Sequence, residues 1–405
     1  MRIKRLELKN FRGFEELTIN FPEAPNNVAV FVGVNGSGKT SVLEAIKNLL
    51  DRYIDEVKPY YEVITDEPDK LGLNIKKGKK FFVTSLEIDE KIILKQEINE
   101  IGEEFSIKIP EKVDKNQVSK KEGIGNIIVF HSTDRYVQTF PSLKAKDINF
   151  EIWLLFKSSN SFNDFFSWFR STEDYENEQI RFTDNSKYRS KELEAVRRAI
   201  SIFLPNFNNP RVQRQPQEEL IVEKNGEKLS ISNLSHGERL MFAMVGDIAR
   251  RLSIANPSLD DPLQGEGVVL IDEIELHLHP GWQRKIVPLL TKTFPNIQFI
   301  LTTHSPQVIS SVERESVFIL EDFKLVEKTP HTFGRDSNSI LQDLFNVTER
   351  PEEVKKEFRK LYRLMDKPEE IEATKHLLEE MEEKYGNDDP EIMRAKMHLE
   401  FLNEE

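Results

Sequence analysis

Two stretches of this sequence carry the residue types that cradle a polyphosphate, and they lie nearly two hundred residues apart. The first, GVNGSGKT from Gly33 to Thr40, fits G-x-x-x-x-G-K-[ST] between an apolar run, NVAVFVG, and a helical pattern, SVLEAIKNLLDRYI. Glycines there let backbone N–H groups turn towards phosphate oxygens that side chains would keep away. Asn35, Gly36, Ser37 and Gly38 form the expected cradle, Lys39 neutralises β- and γ-phosphate charge, and Thr40 offers its hydroxyl to Mg²⁺. The second stretch, SNLSHGERLMFAMV, bunches Ser235, Gly237 and Glu238 just before an apolar helix. One cradle suffices for one nucleotide, so the second raises the question of whose phosphate it faces.

Two further motifs complete the chemistry. VVLIDE is a strand pattern ending in Asp272 and Glu273, at the end where ligands bind in open parallel sheets. Asp272 is the expected second holder of Mg²⁺, and Glu273 the group that polarises the attacking water. FILTTHSP places His304 after another apolar strand, where an imidazole can donate a hydrogen bond near a γ-phosphate. His277 and His279 in ELHLHP resemble metal ligands only superficially, since no third or fourth ligand accompanies them; they read as structural or dimer-contact residues.

The elements that must position these groups read as an α/β head. Three strand patterns precede the glycine loop, and short strand candidates (FFVTSLEID, KIILKQEI, FSIKI, NIIVF) follow it. FEIWLLFKSSNSFNDFFSWF and KELEAVRRAISIFL read as helices, and ELIVEKNGEKLSI as a hairpin turning at Asn-Gly. The chain therefore divides into an N-terminal part with the glycine loop at 1–57, a β-rich part at 58–146, a helical insert at 147–215, a part with the second cradle, VVLIDE and His304 at 216–347, and a helical tail at 348–405. Helices of the tail begin at Pro351, Pro368 and Pro390, with Asp389 as an N-cap and Gly386 as a helix end. Its apolar stripes, Val354, Phe358, Leu361, Tyr362 and Met365, then Ile371, Leu377, Leu378 and Met381, read as faces packed within their own domain.

Composition narrows the class. The absence of cysteine removes disulfides, thiolate metal sites and cysteine nucleophiles, and fits a reducing compartment. No apolar run approaches a membrane span, and the alternating N-terminus is unlike a signal peptide, so a cytoplasmic location without membrane contact is expected. A net charge of −13 argues against a surface coated for DNA. Local basic candidates are Lys76, Lys77, Lys79 and Lys80, and a second run holding Arg181, Lys187, Arg189, Lys191, Arg197 and Arg198.

In their order, GVNGSGKT, LSHGE, VVLIDE and TTHS resemble the Walker A, signature, Walker B and switch-histidine elements of ABC-type ATPases. The resemblance implies a mixed sheet flanked by helices, and subunits meeting head to tail so that each signature loop closes over ATP held by the partner's P-loop. The start, IKRLELKNFRGFEELTINF, and DEIELHLHPGWQ resemble the RecF/SMC/OLD-like branch, which implies that Arg12 contacts phosphate or the adenine-side loop. With HTFGRDSNSILQDLF before the tail, the chain resembles the PtuA-like ATPase subunits of Septu-type antiphage systems and their retron-linked relatives. That similarity implies an ATP- and Mg²⁺-dependent ATPase in a homodimer or higher homo-oligomer. It also implies control of a separate HNH endonuclease, with DNA met through the complex. A RecF-like repair ATPase acting on DNA directly is the alternative, and an ATP-binding protein without turnover a third. His236 and Glu238 depart from the usual signature, and Arg135 and Gln138 are the candidates for a Q-loop residue.

Overall fold

Runs of five consecutive buried residues form the strands that carry the motifs: β3 (Val28–Val32) and β11 (Gly267–Ile271) are buried along their whole length, as is β12 (Ile297–Thr303). Burial on both faces is the signature of parallel strands covered by helices. β3 pairs with β12, and β12 with β11, all parallel and in a register that sets Val32 beside Thr303 and Ile271 beside Leu301. Their C-terminal ends therefore meet at one edge, which brings Gly33, Asp272 and His304 together. The computed structural model describes residues 1–23, 27–57, 81–89, 92–99, 102–108, 126–133, 162–345, 347 and 349–404. Arg135, Gln138, the lysines at 76–80 and the whole FEIWLLFKSSNS stretch lie outside them.

The chain divides into two units, Met1–Ile340 and Leu341–Glu405. In the first, a six-stranded sheet runs β14-β13-β3-β12-β11-β7, with β7 at Ile127–His131, β13 at Val317–Glu321 and β14 at Lys324–Leu325. A five-stranded antiparallel sheet, β2-β1-β4-β5-β6, is built from Glu16–Asn20, Ile3–Lys9, Phe82–Ile88, Ile92–Asn99 and Gly102–Lys108. Helix α1 (Lys39–Val57) packs against β4 and β5 of one sheet and β11 and β12 of the other. Its Val42, Leu43, Ile46, Leu49 and Leu50 share a core with Leu6, Phe82, Val268 and Ile300. The buried Gln298 side chain bonds both backbone groups of Ile3, accepting at 2.7 Å and donating at 2.9 Å, so the two sheets are locked in register across the core.

A second group of elements gathers around the signature helix. α2 (Phe162–Thr183), α3 (Lys191–Phe203) and β7 all pack on α4 (His236–Ala255). Strands β8 (Phe207–Gln213), β9 (Glu219–Lys224) and β10 (Glu227–Ser230) form a small sheet. The β9–β10 turn is the expected Asn-Gly one, with positive φ at Asn225 and Gly226. Two of the six cations of the second basic run are paired here: Arg197 with Glu176 at 2.9 Å, and Arg198 with Asp261.

In the second unit, α8 (Glu352–Met365), α9 (Ile371–Tyr385) and α10 (Pro390–Glu404) enclose Phe358, Leu361, Met365, Leu378, Met381, Ile392, Ala395 and Leu399. The two stripes read from the sequence thus face their own bundle. Asp389 caps α10 by accepting from Glu391 and Ile392 and pairs with Arg350 at 2.8 Å. Before the tail come the short α6 (Pro306–Ile309) and α7 (Ser337–Phe345); Asp336 caps α7, because its carboxylate accepts from the backbone N–H groups of Asn338 and Ser339.

The mid-section of α4 buries charge. Asp247 takes Arg250 at 2.6 Å and Arg251 at 2.7 Å, and both arginines are wholly buried. Burial opposes ionisation of Asp247, but Arg251, Arg250 and His131 more than offset it and hold the carboxyl below the usual carboxylate range. Replacing Asp247 by Asn takes away the carboxylate both guanidinium groups share and should cost about 3 kcal/mol, seen as a lower Tm for the full chain. Because the folded-state value is depressed, this contribution is present above the ordinary Asp range and is lost as pH falls through the folded value. The variant's Tm should therefore converge on the wild type in acid.

Candidate active site

The loop from Gly33 to Gly38 turns tightly enough for the Ser37 N–H to donate to the Val34 carbonyl at 3.2 Å. Gly38 is required twice over: its φ is +104°, and a Cβ there would stand 2.4 Å from the Phe14 ring and 2.9 Å from that of Phe323. Those two rings meet edge to face at 5.3 Å and form a floor under the loop. Phe14 belongs to the NFRGF turn after β1, whereas Phe323 comes from the β13–β14 turn. Asn35 and Gly36 stand exposed at the crest, and Ser37 Oγ is buried with no hydrogen-bond partner.

Lys39 folds back over the loop, its Nζ donating to the carbonyls of Gly33 at 3.0 Å and Val34 at 3.1 Å. Burial draws its ammonium below the ordinary lysine range, while Asp272, Glu273 and Glu275 pull it up. These carboxylates thus share one electrostatic pocket with Lys39. Thr40 Oγ1 donates to Asp272 at 3.0 Å, and Thr302 Oγ1 donates to the same carboxylate at 2.5 Å. Thr302 also accepts the Glu273 N–H at 2.7 Å, which fixes Glu273 in a left-handed conformation, φ +47°. A side chain held there against its preference is a residue positioned by its surroundings.

His304 is set by a residue the sequence reading passed over. Glu275 accepts the His304 N–H at 2.5 Å with one oxygen and the Thr303 hydroxyl at 2.7 Å with the other. Burial, then the charge of Lys39, lowers the imidazole below its usual value against Glu275, Glu273 and Asp272, so the ring is neutral at pH 7. Glu275 and Thr302 were invisible as site residues because each acts through partners far away in sequence. Their signal was only polarity inside the apolar runs IDEIEL and ILTTHS.

Arg12 lies beside the first turns of α1, with φ +49°. Its guanidinium donates to Ser41 Oγ at 3.3 Å and pairs with Glu44.

The signature residues form a second place. Ser235 is exposed and caps α4 in a reciprocal box: its Oγ accepts the Glu238 N–H at 3.3 Å, and Glu238 accepts the Ser235 N–H at 3.1 Å. Glu238 is held further by Lys224 at 2.7 Å, so this expected nucleotide contact is engaged within its own chain. A Cβ on Gly237 would come 2.7 Å from the His277 carbonyl, which explains the glycine by close backbone approach. The His236 and His277 rings meet edge to face at 4.4 Å, and His279 Nδ1 caps α5 (Pro280–Thr293) through the Gly281 N–H at 3.1 Å. Both histidines of the HLHP stretch therefore have structural contacts. Ser235, Gly237, His279 and Trp282 line a cleft of about 360 Å³, and none of its lining residues comes from 33–40.

A glycine loop opening α1, a strand ending in Asp-Glu and a strand ending in histidine, with a separate capped signature helix, define a P-loop ATPase of the ABC type. A family model described as "AAA domain, putative AbiEii toxin, Type IV TA system" matches residues 28–310, and the chain belongs to that family. "Retron Vc95 probable ATPase" of Vibrio cholerae serotype O1 biovar El Tor is 29% identical over 87% of this chain and 80% of its own length. "Retron Ec83 probable ATPase" of Escherichia coli is 30% identical over 99% and 87%. "Septu protein PtuA" of Bacillus thuringiensis is 24% identical over 86% and 85%. A solved SMC head bound to the C-winged helix domain of ScpA shares the fold, at 15% identity and a TM-score of 0.50 over 81% of this chain and 98% of that one. The chain is an ATPase of the RecF/SMC branch, related to the PtuA proteins.

The Glu275 clamp is testable. Glu275→Gln removes one of its two acceptor oxygens, and kcat for ATP should fall on the order of tenfold while nucleotide affinity stays within about twofold. An unchanged kcat would show that the His304 backbone needs no such anchor.

Proposed function

We propose that this ATPase hydrolyses ATP at a seam between two copies of the chain, and that its nucleotide state governs a partner nuclease in antiphage defence. The observation that carries the first half is the cleft at Ser235. It is a capped helix N-terminus facing solvent, with no residue of its own phosphate loop in its lining. An N-terminus of this kind suits an anion, and a two-fold pairing of heads supplies one to each cleft at once.

Within one site, Gly36, Ser37 and Gly38 present backbone N–H groups to the phosphates, and Lys39 leaves its two carbonyls to meet their charge. The unpartnered Ser37 Oγ and the Thr40–Asp272 pair fit a nucleotide with its cation, since a hydroxyl and one carboxylate leave the remaining positions of an octahedral ion to water and phosphate. Mg²⁺ held there would neutralise charge developing on the β- and γ-phosphates. Glu273 accepts the proton of the attacking water, and neutral His304 orients the γ-phosphate by donating a hydrogen bond. From the partner copy, Ser235 and the N–H of Gly237 complete the cradle.

The defence setting is supported by the retron and Septu relatives, and the HNH endonuclease by the resemblance to Septu ATPases. The tail offers a docking surface: on α10, Ile392, Ala395 and Leu399 face the bundle core, while Met393, Met397 and Phe401 form a second apolar stripe left exposed. The RecF-like alternative calls for DNA contact by the head itself, and of the head's second basic run Arg197 and Arg198 are tied to Glu176 and Asp261.

Glu273→Gln should bind ATP and hold the heads together. Light scattering of this variant should show twofold-higher mass with ATP and Mg²⁺ than without, or a stable higher assembly of paired heads. A variant that hydrolyses ATP at the wild-type rate would remove Glu273 from its role.

A further inference from the structure

The second unit carries a charge pattern that the ATPase chemistry does not use. Between 341 and 405 the chain has eleven Lys and Arg, and six of them fall between 355 and 367. Helix α8 sorts them by face. Phe358, Leu361 and Met365 turn into the bundle, while Lys356, Arg359, Lys360 and Arg363 are exposed and, with Lys367 just past the helix end, line a shallow cavity of about 260 Å³. Spacings of three, four and seven residues put these cations in one stripe.

Few carboxylates answer this charge. Arg359 reaches Glu352 only at 3.9 Å, and Lys367 pairs with Glu370 at 2.8 Å. Glu357, on the flank of the same helix, is engaged by Lys384 at 2.7 Å and by the Tyr385 hydroxyl. Lys356, Lys360 and Arg363 have no ion pair within 4 Å among the described residues, in a protein whose net charge is −13. Concentrating unpaired cations on one helix face of an acidic protein costs self-repulsion, which an anionic partner would relieve.

We propose that the exposed face of α8 binds the phosphodiester backbone of a nucleic acid. The stripe runs roughly 16 Å along the helix direction. A duplex strand presents a phosphate about every 3.4 Å of axis, so the stripe can meet four or five. A membrane surface fits less well on this face, because Phe358, Leu361 and Met365 turn into the bundle and half-buried Leu364 is the one apolar residue among the cations. An acidic protein fits less well too, since Leu364 is the single apolar residue among five cations in the lining, too little for the desolvated core of a protein interface. Backbone contacts without such an anchor give binding that is salt-dependent and indifferent to sequence.

The test uses the full-length chain and fluorescence anisotropy with labelled 30-base probes of duplex DNA, single-stranded DNA and single-stranded RNA. A triple variant, Lys356→Gln with Arg359→Gln and Arg363→Gln, is compared with a control that removes the same charge elsewhere in the unit, Lys375→Gln with Arg394→Gln and Lys396→Gln. The stripe variant should bind at least one probe about tenfold or more weakly, with a log K against log salt slope smaller by roughly three, and the control should bind like the wild type. Its ATPase rate without nucleic acid should stay at the wild-type value, which shows the head intact. Equal loss in both variants would mean diffuse charge and overturn the proposal. So would wild-type binding of poly-glutamate or anionic vesicles in place of all three probes.

Discussion

One carboxylate, Asp272, receives hydrogen bonds from Thr40 of the phosphate-loop helix and Thr302 of the neighbouring strand. Its own N–H donates to the His131 carbonyl at the end of β7. The ends of three elements are thereby fixed relative to one another at the edge where β3, β12 and β11 terminate together. This arrangement follows from the parallel register, and the register follows from apolar runs too continuous to have a solvent face. The charged groups can be crowded because the hydrogen bonds satisfy them: Lys39 against two carbonyls, Glu275 against Thr303 and His304, and Asp272 against two hydroxyls.

The signature loop is tied to the same edge from the other side. Gly237 lies against the backbone of His277, and His277 belongs to the turn that begins at Glu273 and ends where His279 caps α5. Gln283 of that helix accepts the Ser305 hydroxyl at 2.6 Å, one residue past His304. The Ser235 cleft and Glu273 are therefore joined by one short, well-bonded segment.

Much of this was legible in the residues alone, wherever chemistry and local pattern coincide. GVNGSGKT and VVLIDE announce themselves because glycines, a lysine and paired carboxylates occur at the boundary between elements. The Asn-Gly hairpin and the Asp389 cap are likewise local. What stayed hidden depends on contacts across the chain. Phe323 enters the floor of the loop from nearly three hundred residues away. Glu275 looked like one acidic residue among several until the fold set it against Thr303 and His304. Nor can spacing show that Lys224 and the Ser235 backbone hold Glu238. The cationic face of α8 was missed for the opposite reason: glutamates interleave it in sequence, and only helical geometry separates the two charges.

Whether a nucleotide is completed by a second copy is decided most directly by mixing two disabled chains. Lys39→Ala lacks a working phosphate loop, and Ser235→Arg blocks the signature cleft. Co-expressed, they should recover about a quarter of the wild-type ATPase rate, since half the pairs would unite one intact loop with one intact cleft at a single site. Activity no greater than that of either variant alone, from a sample shown to contain mixed pairs, would mean that each chain works on its own phosphate and would contradict the shared site.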